Sequence, residues 1–225
     1  MPFRKRIHAV KFGLAGTLQE TAPDHCAALN PTLAQVGREG VELDQVRHMI
    51  GDGARVMLRL GLEATGQSPS DGEIEQWFNV LLDYYWDHVA DGSYAFPGVL
   101  AALDELRAAG LKLAVCTNKP HALSNRLFAQ LEMAPLFDAV LGGDSLAGRK
   151  PDAGHILGTL EAIGVPADRA VMIGDSANDL NAARNAGLPV VLVTFGYTTT
   201  PVQELGADTL IDHFDQLLPA LSSLA

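Results

Sequence analysis

After residue 96 the chain alternates short apolar runs with amphipathic stretches, and this alternation leaves few folds open. Residues 111–116, 139–142, 170–173, 189–193 and 209–211 read as strands. Between and after them, residues 99–109, 121–131, 154–164, 177–186 and 214–221 carry helical spacing, with Gly110 and Gly187 placed to end two of the helices. Strand–helix alternation of this kind dictates a parallel sheet with helices on both faces. One more strand is expected earlier, at residues 7–14. It is separated from the rest by a helical block in which Cys26, Leu29, Leu33 and Val36, and later Trp77, Leu81, Tyr84, Tyr85 and His88, fall at helical spacing. Gly51-Asp52-Gly53 and Gly66-Gln67-Ser68-Pro69 break that block into separate helices. The fold class is therefore α/β, with a core at residues 1–20 and 91–225 and an inserted all-helical cap at 21–90.

Charge narrows the partners. Sixteen Lys and Arg stand against 27 Asp and Glu, a formal net charge of -11. A surface that acidic repels nucleic acid and anionic membranes, and no apolar run is long enough to span a bilayer. An anionic ligand must be held by local donors acting against the global field. The two cysteines, Cys26 and Cys116, form no metal-binding or redox motif, and the seven histidines show no ligand spacing. These features fit a cytoplasmic protein, monomeric or homodimeric, with a small-molecule partner.

In an open parallel sheet, ligands bind beyond the carboxyl ends of the strands, so the residues after each strand carry the functional reading. Asp175 ends the strand at 170–173, and Asp179 lies four residues on, in the first turn of the next helix. The pair suits a hard cation such as Mg²⁺; helix capping and a favourable helix dipole are the plainer explanation. Thr117-Asn118-Lys119-Pro120 offers a hydroxyl and free backbone N–H groups at a helix start, a place for an anion. Lys150, before Pro151-Asp152, is positioned to neutralise a phosphate as a point charge. The first strand ends in Phe12-Gly13-Leu14-Ala15-Gly16-Thr17-Leu18, a turn with no reactive side chain.

Taken together and in this order, these elements resemble the haloacid dehalogenase superfamily, and within it the phosphoglycolate phosphatases. The resemblance runs from about residue 9 to 217. It includes Gly16-Thr17-Leu18, Ala22-Pro23-Asp24, Ile50-Gly51-Asp52-Gly53-Ala54, Phe96-Pro97-Gly98-Val99, Cys116-Thr117-Asn118-Lys119-Pro120, Gly142-Gly143-Asp144, Lys150-Pro151-Asp152, Gly174-Asp175-Ser176 with Asp179, and Phe195-Gly196-Tyr197. It implies a Rossmann-like core and Mg²⁺-dependent hydrolysis of phosphomonoesters. It also implies that Thr117, Asn118 and Lys150 hold the phosphoryl group, and that Asp175, Asp179 and the backbone carbonyl of Ala15 hold the metal. The loop carrying Gly53 is implied to face the substrate from the cap; Arg55 beside it could meet a substrate carboxylate, although a solvated surface arginine is the plainer reading.

The departure lies in the first motif, which in that family reads Asp-x-Asp-Gly-Thr. Gly13 stands at the nucleophile position and Ala15 at the acid/base position. Neither side chain can attack phosphorus or move a proton. Lys11, Gln19 and Glu20 also differ from the family pattern, as expected of drift after catalysis is lost. The resulting expectation is a catalytically impaired or inactive pseudoenzyme that binds phosphate or a phosphorylated metabolite, with Mg²⁺ affinity weakened by the missing Asp at position 13. Two rival readings accompany it. One is an active phosphomonoester hydrolase with a substitute nucleophile. The other is an interaction protein that uses a cap surface bearing Trp77, Tyr84, Tyr85 and Trp86.

Overall fold

The computed structural model describes residues 7–224. The strands are β1 (Ala9–Phe12), β2 (Gln19–Glu20), β3 (Tyr94–Ala95), β4 (Lys112–Cys116), β5 (Ala139–Leu141), β6 (Ala170–Gly174), β7 (Val190–Val193) and β8 (Thr209–Ile211). The helices are α1 (Ala22–Gln35), α2 (Leu43–Arg47), α3 (Ala54–Ala64), α4 (Asp71–Asp87), α5 (Val99–Ala108), α6 (His121–Gln130), α7 (Ala153–Ala162), α8 (Ala177–Asn185) and α9 (Leu217–Ser223).

Six strands form one parallel sheet in the order β5-β4-β1-β6-β7-β8. This is the doubly wound, Rossmann-like order, and the direction of winding reverses between β1 and β6. Side chains alternate between the two faces as a pleated strand requires. Val10, Phe12, Leu113, Val115, Val171 and Ile173 enter one buried cluster. Ala9, Cys116, Met172, Val190 and Leu192 enter the other, beneath α7 and α8. Lys11 points into the second layer and is fully buried. Its ammonium donates to the carbonyl of Ile156 at 2.8 Å, and burial pulls its pKa down to about 8. The polar interruption in an apolar strand is thus met by a backbone partner.

The helical segment between β2 and β3 is built from α1 to α4. Ser70 opens α4 with a capping box closed by Glu73, and α4 packs on α1 and α3. Leu29, Leu33, Met57, Leu62 and Leu81 of these helices belong to the same cluster as Phe12 and Ile173. The helical segment and one face of the sheet therefore share a continuous apolar interior. Two short strands have no counterpart in the sequence pattern. β2 and β3 pair antiparallel, Gln19 with Ala95 and Glu20 with Tyr94, where the chain leaves and rejoins the sheet. Two-residue strands of mixed polarity carry no periodicity to detect. The strand expected at 7–14 also stops earlier, at Phe12, although the Gly13 N–H still donates to Ile173 at 2.8 Å. Among the described residues no helix is long and apolar enough to cross a membrane.

Candidate functional site

The ends of β1, β4 and β6 open into one crevice, roofed by the loop before α3. Its lining includes Ala15, Gly53, Thr117, Asn118, Lys150, Asp175 and Asp179, which are candidates from five separate sequence segments. The cavity is small, about 60 Å³, well below the roughly 300–1,000 Å³ of pockets for drug-sized ligands.

The two carboxylates are buried and fully engaged. Asp175 accepts from the Thr17 hydroxyl at 2.7 Å and from the Tyr197 N–H at 2.9 Å. Burial, then the neighbouring Asp179, pushes its pKa above the usual carboxylate range. Asp179 accepts from the Lys150 ammonium at 2.6 Å with one oxygen. Its other oxygen accepts from the N–H groups of Asp175 and Ser176 and from the Ser176 hydroxyl, closing the capping box of α8. Capping and site membership, alternatives in the sequence, are both realised at Asp179. Burial opposes the Lys150 charge, but Asp179 outweighs it and holds the ammonium above its ordinary pKa.

The turn after β1 approaches this group closely. Gly16 has φ +78°, and a Cβ there would lie 2.4 Å from an Asp175 oxygen, so both conformation and space require glycine. Gly13 has no such conformational demand. A Cβ at residue 13 would point toward the Thr17 hydroxyl (2.5 Å) and an Asp179 oxygen (3.3 Å). Position 13 therefore faces the acidic pair and contributes no side chain to it.

On the opposite wall, Thr117 sits before α6 and does not cap it; the N-cap residue is Pro120. The Thr117 oxygen accepts from the Lys119 N–H at 3.2 Å. Asn118 donates to the carbonyls of Gly51 (3.0 Å) and Lys150 (3.1 Å), linking the loop before α3 to the sheet, while its side-chain oxygen is buried without a partner. Asn178 adds a second link, donating to Asp52 at 2.9 Å.

Arg55 is placed elsewhere. It pairs with Glu75 and lies 4.1 Å from the centre of the Phe78 ring, and it is absent from the crevice lining. A partner 20 residues away on α4, with a ring to stack on, draws it off. The aromatic residues at 77–86 do not share one open face either. Tyr85 is buried, Trp77 and Tyr84 pack against the apolar cluster, and Trp86 alone is exposed, under Arg126.

The metal expectation meets a chemical obstacle. Among the described residues no group of three or more side chains is suited to hold a metal. All four oxygens of Asp175 and Asp179 already accept hydrogen bonds, one from a lysine. Mg²⁺ demands near-octahedral oxygen ligation, and the residues present do not fit it as they stand.

His25, Tyr85, Lys119 and Tyr197 also line the crevice, and no sequence motif marks their side chains as ligand-facing. The Tyr197 hydroxyl bonds to Glu20 and accepts from the N–H groups of Thr21 (2.8 Å) and Ala22 (3.1 Å). It ties the loop after β7 to the start of α1. Tyr197→Phe leaves the Thr21 N–H buried and unpaired, at a cost of about 1–3 kcal/mol. Thermal melting should fall by roughly 2–4 °C per kcal/mol; an unchanged melting temperature would show that the tie carries no stability.

A family profile of haloacid dehalogenase-like hydrolases matches residues 10–193. A phosphoglycolate phosphatase of Caulobacter vibrioides is 47% identical over 206 residues, covering 91% of this chain and 86% of that protein. A predicted phosphoglycolate phosphatase from Haemophilus somnus superposes with a TM-score of 0.89 at 28% identity, over 95% of this chain and 97% of the other. CbbY from Rhodobacter sphaeroides, solved in complex with phosphate, gives a TM-score of 0.80 at 28% identity, over 96% and 99%.

Proposed function

Because the chain belongs to the haloacid dehalogenase-like hydrolase family and is phosphoglycolate phosphatase-like, we propose that its crevice binds phosphate or a small phosphorylated metabolite without hydrolysing it. The observation that carries this reading is Gly13, at a position aimed at Asp179 and Thr17 yet without a side chain. Ala15, which lines the crevice, offers no proton-transfer group. Loss of a nucleophile that acts as part of a unit costs on the order of 10⁶ in rate in a protease. Phosphate monoesters react so slowly unaided that the remnant is negligible.

Thr117, Asn118 and Lys150 form the phosphate site in this reading. Two fewer carboxylates make the crevice more receptive to an anion, and Mg²⁺ binds weakly because Asp175 and Asp179 are committed to Thr17, Tyr197 and Lys150. The helical segment 21–90 acts as the cap that closes over the ligand. Both cysteines are free, in keeping with action in the reducing cytoplasm.

The 47% identity to a phosphoglycolate phosphatase favours a second reading, an active phosphomonoester hydrolase. That reading needs a nucleophile other than residue 13. Glu20 is held by Tyr197 and Arg47, and Asp24 by Ser93 and the Gly92 N–H, so neither nearby carboxylate is free to attack.

Calorimetric titration with inorganic phosphate and with phosphoglycolate, in the presence of a chelator, tests the first reading. Saturable one-site binding without metal is expected. No heat of binding at millimolar ligand would rule it out.

A further inference from the structure

Lys11 is a buried ammonium that phosphate binding leaves without a task. It sits on β1 in the middle of the sheet, with Ala114 and Met172 beside it on the neighbouring strands, and none of it is exposed. Its one hydrogen bond goes to the Ile156 carbonyl of α7 at 2.8 Å, although an ammonium has three donors. Among the described residues it belongs to no ion pair of 4 Å or less. A buried charge is costly unless it is paired, and a carbonyl brings only a partial charge.

The strand register places it beneath the acidic pair. Side chains two residues apart on a strand share a face. Residue 13 is two on from Lys11, and a Cβ there would lie 3.3 Å from an Asp179 oxygen. Gly174 is two on from Met172, the β6 partner of Lys11, and a Cβ there would collide with the Asp179 side chain. Asp179 therefore covers the row of the sheet just beyond Lys11, on the same face, and one row is roughly 7 Å along a strand. Lys11 approaches from below, between the sheet and α7, and is no part of the crevice lining.

The charges around it suit a counter-ion. Burial lowers the Lys11 pKa to about 8, and Cys116, Lys150 and Asp179 act on it in turn. At neutral pH it is thus an ammonium in the field of the acidic pair. Lys150 pairs with Asp179, whereas Asp175 has only neutral donors, the Thr17 hydroxyl and the Tyr197 N–H. Two buried carboxylates therefore have one lysine in contact, and Lys11 is a second cation close beneath them. Lys119 answers to Asp24 instead. His155 of α7 adds no charge, since burial, then Lys150 and Lys11, lower its pKa to about 4. The Cys116 thiol is turned to the His155 carbonyl, to which it donates at 3.7 Å.

We propose that Lys11 is a built-in counter-ion, whose ammonium supplies from beneath the sheet's edge the positive charge that a divalent cation would bring to Asp175 and Asp179, and so keeps such a cation out of the crevice. This rests on the reading above that the crevice acts without Mg²⁺. It assigns that behaviour to a residue outside the crevice, in addition to Gly13 and Ala15 within it.

Calorimetric titration with magnesium chloride, in the absence of any phosphate, reads the effect directly. Gly13→Asp with Ala15→Asp supplies carboxylates for the ion, and Lys11→Met is then added to that pair. The triple variant should bind Mg²⁺ about 10- to 100-fold more tightly than the double, because a fixed charge about 7 Å away in a protein interior repels a divalent ion. Lys11→Gln in place of Lys11→Met keeps a neutral donor for the Ile156 carbonyl and should give the same gain. A gain with Met and none with Gln would assign the effect to the lost hydrogen bond and overturn the proposal. Replacing a buried charge by an apolar or neutral side chain of similar length should not unfold the chain, and the melting temperature of each variant checks this. Equal Mg²⁺ affinity in the double and triple variants overturns the proposal and leaves Lys11 a structural residue only, as does the absence of Mg²⁺ binding in all of them. Inorganic phosphate titrated into the unmodified protein is the separate control. Its failure to bind would end the phosphate reading, while the Mg²⁺ comparison would still decide the role of Lys11.

Discussion

Replacing Gly13 and Ala15 together with aspartate is expected to raise Mg²⁺-dependent phosphate release from phosphoglycolate by at least about 10³-fold over the parent. The backbone at residue 13 lies outside the left-handed region, so a side chain there brings no conformational penalty. Its Cβ would meet the Thr17 hydroxyl at 2.5 Å, and that hydroxyl is on a rotatable side chain. Thr17 must turn away from Asp175, which frees a carboxylate oxygen. The new carboxylate also enters beside Asp179, whose oxygen lies 3.3 Å from the added Cβ. With both replacements four acids share one crevice, where they repel one another and raise each other's pKa unless a cation joins them. The double variant should therefore melt below the parent in a chelator and recover on addition of Mg²⁺. The parent should respond little to the ion. A folded double variant that releases no phosphate would show that the crevice lacks the rest of a phosphatase's machinery.

The second large effect is on stability. Lys150→Met leaves the Asp179 carboxylate buried, 2% exposed, without its cation. Breaking one side of a buried pair costs about 3–5 kcal/mol, a fall of roughly 2–4 °C per kcal/mol in melting temperature. The three other donors on Asp179 soften the loss without cancelling the charge. Adding Asp179→Asn to Lys150→Met removes the stranded charge and should recover most of the stability. Denaturant melts of the two single variants and the double complete the cycle. Additive costs would mean that the 2.6 Å pair contributes nothing as a pair. Phosphate affinity should stay lost in the recovered double variant, which separates the structural role of Lys150 from the role proposed for it at the ligand.

Much of the architecture is legible in the chain because it follows from local pattern. Alternating strands and helices announce the parallel sheet, and the period-two layering of β1, β4, β6 and β7 follows from it. Asp175 and Asp179 are readable as a pair because four residues at a strand–helix junction return to one side. What escapes the sequence depends on partners far along the chain. Arg55 looks like a crevice residue until Glu75 and Phe78 come into play. Lys119 looks like part of a turn, and its partner Tyr85 lies 34 residues earlier on another helix. Tyr197 likewise gains its meaning from Glu20, Thr21 and Ala22. Gly13 and Ala15 are plain in the sequence as residues without reactive groups; the geometry adds that position 13 points at the acidic pair.

The central claim is that this crevice holds phosphate esters and does not cleave them. The most direct test is phosphate release by the unmodified protein, at micromolar concentration, incubated for hours with saturating phosphoglycolate and Mg²⁺. The account predicts less than one phosphate released per protein molecule above the no-protein control. Sustained release over many turnovers, dependent on Mg²⁺ and co-eluting with the protein, would contradict it and would require a nucleophile other than residue 13.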